Sequence, residues 1–179
     1  PNHVKQIRTL IADYIKTTST IELIAQFGLE DFEVKALAVE RTFCEKIISL
    51  VRFSYTENPL EDLSNKVRHT YDLTLLMKRD EIMSFVNSDL FDSMLLQVAK
   101  DDDKAIPNDK NWLYNHPKNA LIFSDTEMVW NTLKKVYSGS KFNELLIGKT
   151  KPPTENEVFE SLVFLSKRIE GIDWEVTEE

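Results

Sequence analysis

One lysine of this chain occupies a position where charged residues are uncommon. At about 100° per residue of a predicted helix, Lys46 lies about 60° from Phe43, inside the apolar arc that also contains Ile47 and Leu50. A lysine in such an arc either extends its ammonium past the apolar stem to water or directs it into a cleft that holds a negative group. Periodicity alone leaves both interpretations open.

The next predicted helix carries a second charged group, in which Arg68 and Asp72 are four residues apart. They could form an ordinary helical ion pair, worth about 0.3–0.5 kcal/mol. Alternatively, Asp72 is a carboxylate in a cleft, held by Arg68, with Lys46 opposite it. The neighbouring His69 lies on another side of this helix and is interpreted as a surface or packing residue.

Several other kinds of chemistry are disfavoured. With four glycines, the chain has no GxxxxGK[ST] or GxGxxG loop, and its three histidines show no HExxH spacing. The run of aspartates at 101–103 is predicted to be a solvated loop, because ligands of one ion need convergent geometry. Cys44 is interpreted as a small buried hydrophobic residue.

Length and composition fit an ordinary globular protein. The 179 residues fit one domain, and the net charge of −8 means that a nucleic acid would have to meet a local basic patch. No run reaches the ~18 apolar residues of a membrane helix. With one cysteine and no signal-peptide layout, the chain is predicted to be cytoplasmic, without a membrane partner.

The elements that must position these charges are mainly helical. Apolar residues at Val4, Ile7, Ile11 and Tyr14 predict an amphipathic helix over residues 4–17 whose stripe is core, ended by the threonine-rich residues 17–20. Residues 32–39 predict a short strand, which must pair either with a segment such as IELIAQF or with a sheet not contained in this chain.

The C-terminal part shows clear helix start signals. Ser124 or Asp125 could cap one helix, and Thr154 with Glu157 has the spacing of a capping box before another. The latter helix should bury Val158, Leu162, Leu165 and Ile169. We therefore expect a mainly α fold with about seven helices and one or two short N-terminal strands. It would be a single domain over 1–179, with a helix and strand in 1–39 leading into a helical bundle in 40–179.

Two segments carry a family resemblance. The sequence VKALAVERTFCEKIISL, followed by KVRHTYDLTLLM, resembles the C-terminal half of the AbiEii/AbiGii toxin family of nucleotidyltransferases, in the DNA polymerase beta-like superfamily. In that family a strand leads into an "ERTFxEK" helix, and an "R(H/K)xYDL" helix follows. The resemblance is closest over residues 34–76.

The resemblance implies transfer of a nucleotide from a nucleoside triphosphate to an acceptor, with RNA proposed. It also implies a bacterial toxin–antitoxin or abortive-infection system and an antitoxin protein as partner. Lys46 matches the catalytic lysine of the family and Asp72 its later acidic residue. Arg41 and Arg68 are candidate substrate-binding residues, because forked donors suit phosphate oxygens.

The chain departs from the superfamily in one respect. The superfamily binds metal through a Gly-Ser turn followed by Asp-x-Asp on a strand, whereas no such pair follows Gly139-Ser140 here. With the start at Pro1 and the lone predicted strand, we expect a C-terminal part that lacks the catalytic α/β lobe and is inactive alone. Mg²⁺ would then be bound only by the full-length protein, and none by this chain. The alternative is a non-catalytic helical module that binds a protein or RNA, in which Lys46 and Asp72 form only an ion pair.

Overall fold

The computed structural model describes residues 2–18, 20–105, 112–144 and 151–176. The chain is mainly α-helical, which confirms the predicted fold class. It divides into two compact units, residues 1–39 and 40–179. The assignment of the whole chain to one domain stays a prediction.

The first unit contains a two-stranded antiparallel sheet and two short helices. Strand β1 (Asn2–Ile7) pairs with β2 (Phe32–Leu37), and helices α1 (Leu10–Thr17) and α2 (Glu22–Gln26) lie between them in sequence. The hydroxyl of Thr9 caps α1 by accepting a hydrogen bond from the amide of Ala12 at 3.1 Å. Gly28 follows α2 with φ of +61°, a conformation that glycine adopts without strain.

The predicted helix over residues 4–17 is wrong in its first half. Val4 and Ile7 belong to β1, and the helix begins only at Leu10, after the Thr9 cap. The segment IELIAQF is not the partner of β2, because its central residues form α2. A strand this short is stabilised by ladder bonds to a segment distant in sequence, so helical periodicity misassigned it.

The apolar stripe predicted to be core is also exposed. Ile11 and Tyr14 are 62% and 69% exposed, whereas Ala12 and Ile15 on another side of α1 are buried. Leu10 is exposed as well. The helix therefore has apolar side chains around more than half of its circumference, and periodicity could not tell which of them are buried.

Helices make up most of the second unit, and the first of them begins at Val39. They are α3 (Val39–Phe53), α4 (Pro59–Asn65), α5 (Val67–Met77), α6 (Asp80–Val86), α7 (Asp89–Ala105), α8 (Leu121–Ser124), α9 (Thr126–Tyr137), α10 (Ser140–Asn143) and α11 (Glu155–Glu170). Two single 3₁₀ turns, Trp112–Tyr114 and Pro117–Asn119, precede α8. The short helices α8 and α10 had no clear periodic signal.

The last helix packs against α5, α8 and α9 and confirms its predicted features. Its stripe of Val158, Leu162, Leu165 and Ile169 is buried. Thr154 and Glu157 form the capping box, in which each accepts a hydrogen bond from the backbone amide of the other. Asp125, rather than Ser124, caps α9 by accepting from the amide of Met128.

The run of aspartates is not a solvated loop, contrary to the sequence interpretation. It forms part of the last turns of α7, where Asp101 pairs with Arg41 at 2.8 Å and Asp102 pairs with Arg52 at 2.7 Å. Both arginines lie on α3, so the acidic run connects the end of α7 to that helix. The pairing depends on residues about fifty to sixty positions apart, which a local pattern does not reveal.

Cys44 is fully buried, and burial raises the pKa of its thiol, as expected of a small core residue.

Within the described part of the chain, no helix combines the length and the apolar content that crossing a bilayer requires.

Candidate functional site

Helix α3 holds Lys46 against the core of the second unit. Phe43, Ile47 and Leu50 on its apolar side are completely buried. Lys46 lies beside them, and its side chain is 20% exposed. The predicted placement inside the apolar arc is therefore correct, and the rigid helix fixes where the stem of the lysine begins.

Helix α5 holds Asp72 in a comparable way. Thr70, Leu73 and Thr74 are buried, and the two threonine hydroxyls donate to backbone carbonyls of their own helix. These internal bonds leave the threonines no need for other partners. Asp72 stands at the edge of this buried face, with its side chain 23% exposed.

The two helices bring Lys46 and Asp72 together. The Nζ atom of Lys46 donates a hydrogen bond to Oδ2 of Asp72 at 2.6 Å. About four fifths of each side chain is removed from water, so the pair is screened less than a surface ion pair and each partner restricts the position of the other. Between the two sequence interpretations of Lys46, this geometry favours an ammonium directed at a negative group.

Arg68 is more exposed than Asp72, which follows it on the same helix. Its side chain is exposed, and it forms no ion pair with another described residue. Asp72 pairs with Lys46 instead, so the helical Arg68–Asp72 pair is not formed. About one helical turn separates Arg68 from Asp72 along α5, and the Arg68 side chain is open to solvent.

Arg41 does not join the Lys46–Asp72 pair. Five positions before Lys46, it lies about 140° around α3, where it donates to Glu45 at 3.1 Å and to Asp101 at 2.8 Å. The Asp101 carboxylate, with a smaller effect of Glu45, raises the pKa of the Arg41 guanidinium. Together with Val98, these residues line a cavity of about 270 Å³.

His69 belongs near the pair, although sequence reasoning set it aside. Burial, followed by the charges of Lys46 and Lys66, lowers its pKa to about 4, so the ring is neutral at physiological pH. It precedes Asp72 by three positions, which makes the two side chains neighbours on α5. That spacing was a usable signal, but nothing local indicated that the ring would be half-buried.

A family model described as "Nucleotidyl transferase AbiEii toxin, Type IV TA system" matches residues 5–158. The chain belongs to this family. The AbiEii match confirms the resemblance drawn from the two motifs that carry Lys46 and Asp72, and it extends over most of the chain. No curated protein and no solved structure matches the chain.

Membership of the AbiEii family implies a nucleotide substrate and an antitoxin partner. The metal expected for such a reaction does not fit the described residues. Among them, no three histidine, cysteine, aspartate or glutamate side chains are grouped closely enough to hold an ion. Asp72 is already engaged by the ammonium of Lys46.

What the described site offers is positive charge and hydrogen-bond donors. Lys46 supplies a positioned ammonium, and Arg68 supplies an exposed guanidinium. Such groups stabilise negative charge on phosphate oxygens and provide no nucleophile.

Proposed function

We propose that this chain is the helical portion of an AbiEii nucleotidyltransferase that transfers a nucleoside monophosphate from a nucleoside triphosphate to an RNA acceptor. The observation that carries the proposal is the 2.6 Å hydrogen bond between Lys46 and Asp72. It joins the two helices that bear the family motifs, and it places one fixed positive charge at their junction.

In the proposed reaction, a hydroxyl of the acceptor attacks the α-phosphorus of the triphosphate. A new phosphorus–oxygen bond forms, the bond to pyrophosphate breaks, pyrophosphate leaves with the bonding electrons, and the hydroxyl proton passes to solvent. Negative charge builds up on the oxygens of the transferred and leaving phosphates. Lys46 would neutralise part of this charge, because an ammonium already held in place requires little reorganisation during the reaction.

Asp72 and Arg68 have supporting roles in this proposal. Asp72 orients the Lys46 ammonium through their hydrogen bond. Arg68, exposed one turn earlier on α5, would contact outer phosphate oxygens with its forked donors. Arg41 is left out of the phosphate site, because its guanidinium is engaged by Glu45 and Asp101 on another side of α3.

We further propose that these 179 residues do not catalyse the reaction alone. The sequence has no Gly-Ser turn followed by Asp-x-Asp, and the described residues include no group of three potential ligands that could hold a metal ion. Residues outside this sequence would bind Mg²⁺ in the full-length protein. The proposed setting is the cytoplasm, where RNA, nucleoside triphosphates and an antitoxin meet.

The proposal is tested with the full-length protein that contains these residues. Purified Lys46→Ala and Asp72→Asn variants are assayed for transfer of radiolabelled nucleotide to RNA, and the same variants are assayed for inhibition of growth. We expect Lys46→Ala to lower transfer by about 100-fold or more, the magnitude typical of a lost electrostatic group. Lys135→Ala, at an exposed position on α9, is the matched control. Full activity of Lys46→Ala would remove Lys46 from the site.

The second candidate is a non-catalytic module that binds a protein or RNA. One observation favours this second candidate: the ammonium of Lys46 already has a partner, the carboxylate of Asp72. In that case Lys46→Met would leave transfer unchanged, and the double variant Lys46→Met/Asp72→Leu would be as stable as the wild type or more stable, because apolar groups often replace a whole buried ion pair without loss. Unchanged transfer by Lys46→Met, with equal or higher stability of the double variant, would support this alternative.

A further inference from the structure

The imidazole of His69 has one nitrogen inside the protein and one outside. Nδ1 is buried and has no hydrogen-bond partner. Nε2 has no hydrogen-bond partner among the described residues and is not fully buried. The two ring nitrogens therefore differ in burial, and the charges of Lys46 and Asp72 act on the ring.

This difference in burial decides where the single proton of the neutral ring lies. A buried N–H group without an acceptor is rare and costly, whereas an unpaired acceptor is tolerated somewhat better. The proton therefore belongs on Nε2, and the ring presents an N–H donor to solvent. Four charged groups act on the ring, and three of them are cations that disfavour a second proton. The cations are Lys46 on α3, Lys66 just before α5, and Arg68 on α5; the fourth group is the carboxylate of Asp72 on α5.

Positive charge predominates near His69. The charges that act on its ring are three cations, Lys46, Lys66 and Arg68, and one carboxylate, Asp72, whose Oδ2 already accepts a hydrogen bond from Lys46. A ligand that fits such a surface must be rich in acceptors and negatively charged. Phosphate oxygens have both properties.

We propose that His69, neutral and protonated on Nε2, is a binding residue that donates a hydrogen bond to an oxygen of the triphosphate held by Lys46. The proposal rests on the proposed function, since it takes the triphosphate as the ligand. It adds a neutral donor to the two cations. Such a donor helps to fix the orientation of the phosphate chain without adding charge to the site.

The first test is nuclear magnetic resonance on the 179-residue chain with ¹⁵N-labelled histidine. We expect the Nε2–H tautomer, and we expect inorganic tripolyphosphate to shift the His69 resonances and raise the pKa of the ring, because an anion favours the protonated form. The Lys46→Ala variant should lose this response. An Nδ1–H tautomer, or a His69 ring that tripolyphosphate leaves unchanged, would overturn the proposal.

The second test uses the full-length enzyme. His69→Phe keeps a planar ring but removes the donor, and we expect it to raise the KM for nucleoside triphosphate about tenfold with little change in kcat. His69→Gln keeps a donor and should recover most of the affinity. An unchanged KM in a folded His69→Phe variant would contradict the role of His69. If that variant does not fold, the resonance experiment decides.

The two proposals fail in different ways. If Lys46→Ala is inactive while His69→Phe behaves like the wild type, only the assignment of His69 is lost. If Lys46→Ala is fully active, the proposed function itself is lost, whatever His69→Phe does.

Discussion

The ammonium nitrogen of Lys46 lies 2.6 Å from a carboxylate oxygen of Asp72, although 26 positions separate the two residues in sequence. The hydrogen bond joins α3 to α5, the two helices that carry the AbiEii motifs. Because about four fifths of each side chain is removed from solvent, water screens the pair only in part.

A double-mutant cycle of Lys46→Met and Asp72→Leu should reveal the coupling between the two side chains. Each single change leaves a half-buried charge without its partner and should lower the free energy of unfolding by about 1–3 kcal/mol. The double variant should be more stable than the summed effects of the two single changes predict, with a coupling free energy of about 1–2 kcal/mol. Urea unfolding measures all four proteins.

The exposed pair Arg79–Glu81 is the matched control for that cycle. Both of its side chains are close to half exposed, so its coupling should stay below about 1 kcal/mol. Equal coupling energies for the two pairs would show that burial of Lys46 and Asp72 does not strengthen their contact.

The pH dependence of stability should carry a contribution from His69. Its pKa is lowered from 6.5 to about 4 in the folded chain, chiefly by burial. Between these values the unfolded chain binds the proton more readily, so the free energy of unfolding should fall as pH drops from about 6.5 to 4. The His69→Gln variant lacks this group and should show a flatter profile in chemical denaturation. Parallel profiles for the two proteins would argue against a buried, neutral ring.

Glu157 should make the chain sensitive to stronger acid. The hydrogen bond from Lys78, followed by those from Thr154, lowers its pKa from 4.5 to about 2. A lowered carboxyl pKa stabilises the fold above pH 4.5, and this contribution disappears as pH falls from about 4.5 to 2. Thermal unfolding of Glu157→Gln should therefore depend less on pH in that range.

Glu170→Gln, at an exposed position at the end of α11, is the control for Glu157. Its thermal unfolding should follow the pH profile of the wild type. If both variants lose the same acid sensitivity, the effect reflects general charge rather than the capping box.

Arg168 should be the most important charged residue for the packing of α11. Its guanidinium donates to the carbonyl of Val86 at 2.7 Å and to that of Ser88 at 3.2 Å, pairs with Asp92, and lies 4.9 Å from the ring centre of Phe91. It thus binds the end of α6 and the start of α7. We expect Arg168→Ala to lower the free energy of unfolding by about 2–3 kcal/mol, because several charge-assisted bonds are lost at once.

The neighbouring exposed Lys167 offers a direct comparison for Arg168. Lys167→Ala removes a charge from the same turn of α11 and should change stability by less than about 0.5 kcal/mol. Urea unfolding distinguishes the two variants, and equal small effects would show that the Arg168 contacts contribute little.

The sequence by itself determined the features that depend on neighbours along the chain. The capping box at Thr154 and Glu157 and the buried stripe of α11 follow from spacings within one helix, so local periodicity was sufficient. The placement of Lys46 inside an apolar arc followed for the same reason. The two segments that resemble the AbiEii family were likewise readable as short stretches, and the family match over residues 5–158 confirms the family.

Only the tertiary structure decided which distant segments meet. Residues 2–7 form a strand because β2 satisfies their backbone groups, which overrides a helical pattern in the side chains. The aspartates at the end of α7 are helical and paired because Arg41 and Arg52 lie within reach. Burial of His69 and the contact between Lys46 and Asp72 also require α3 and α5 to be in place. Helical spacing fixes the direction of a side chain around its own axis, but the partner of that side chain depends on how the helices pack.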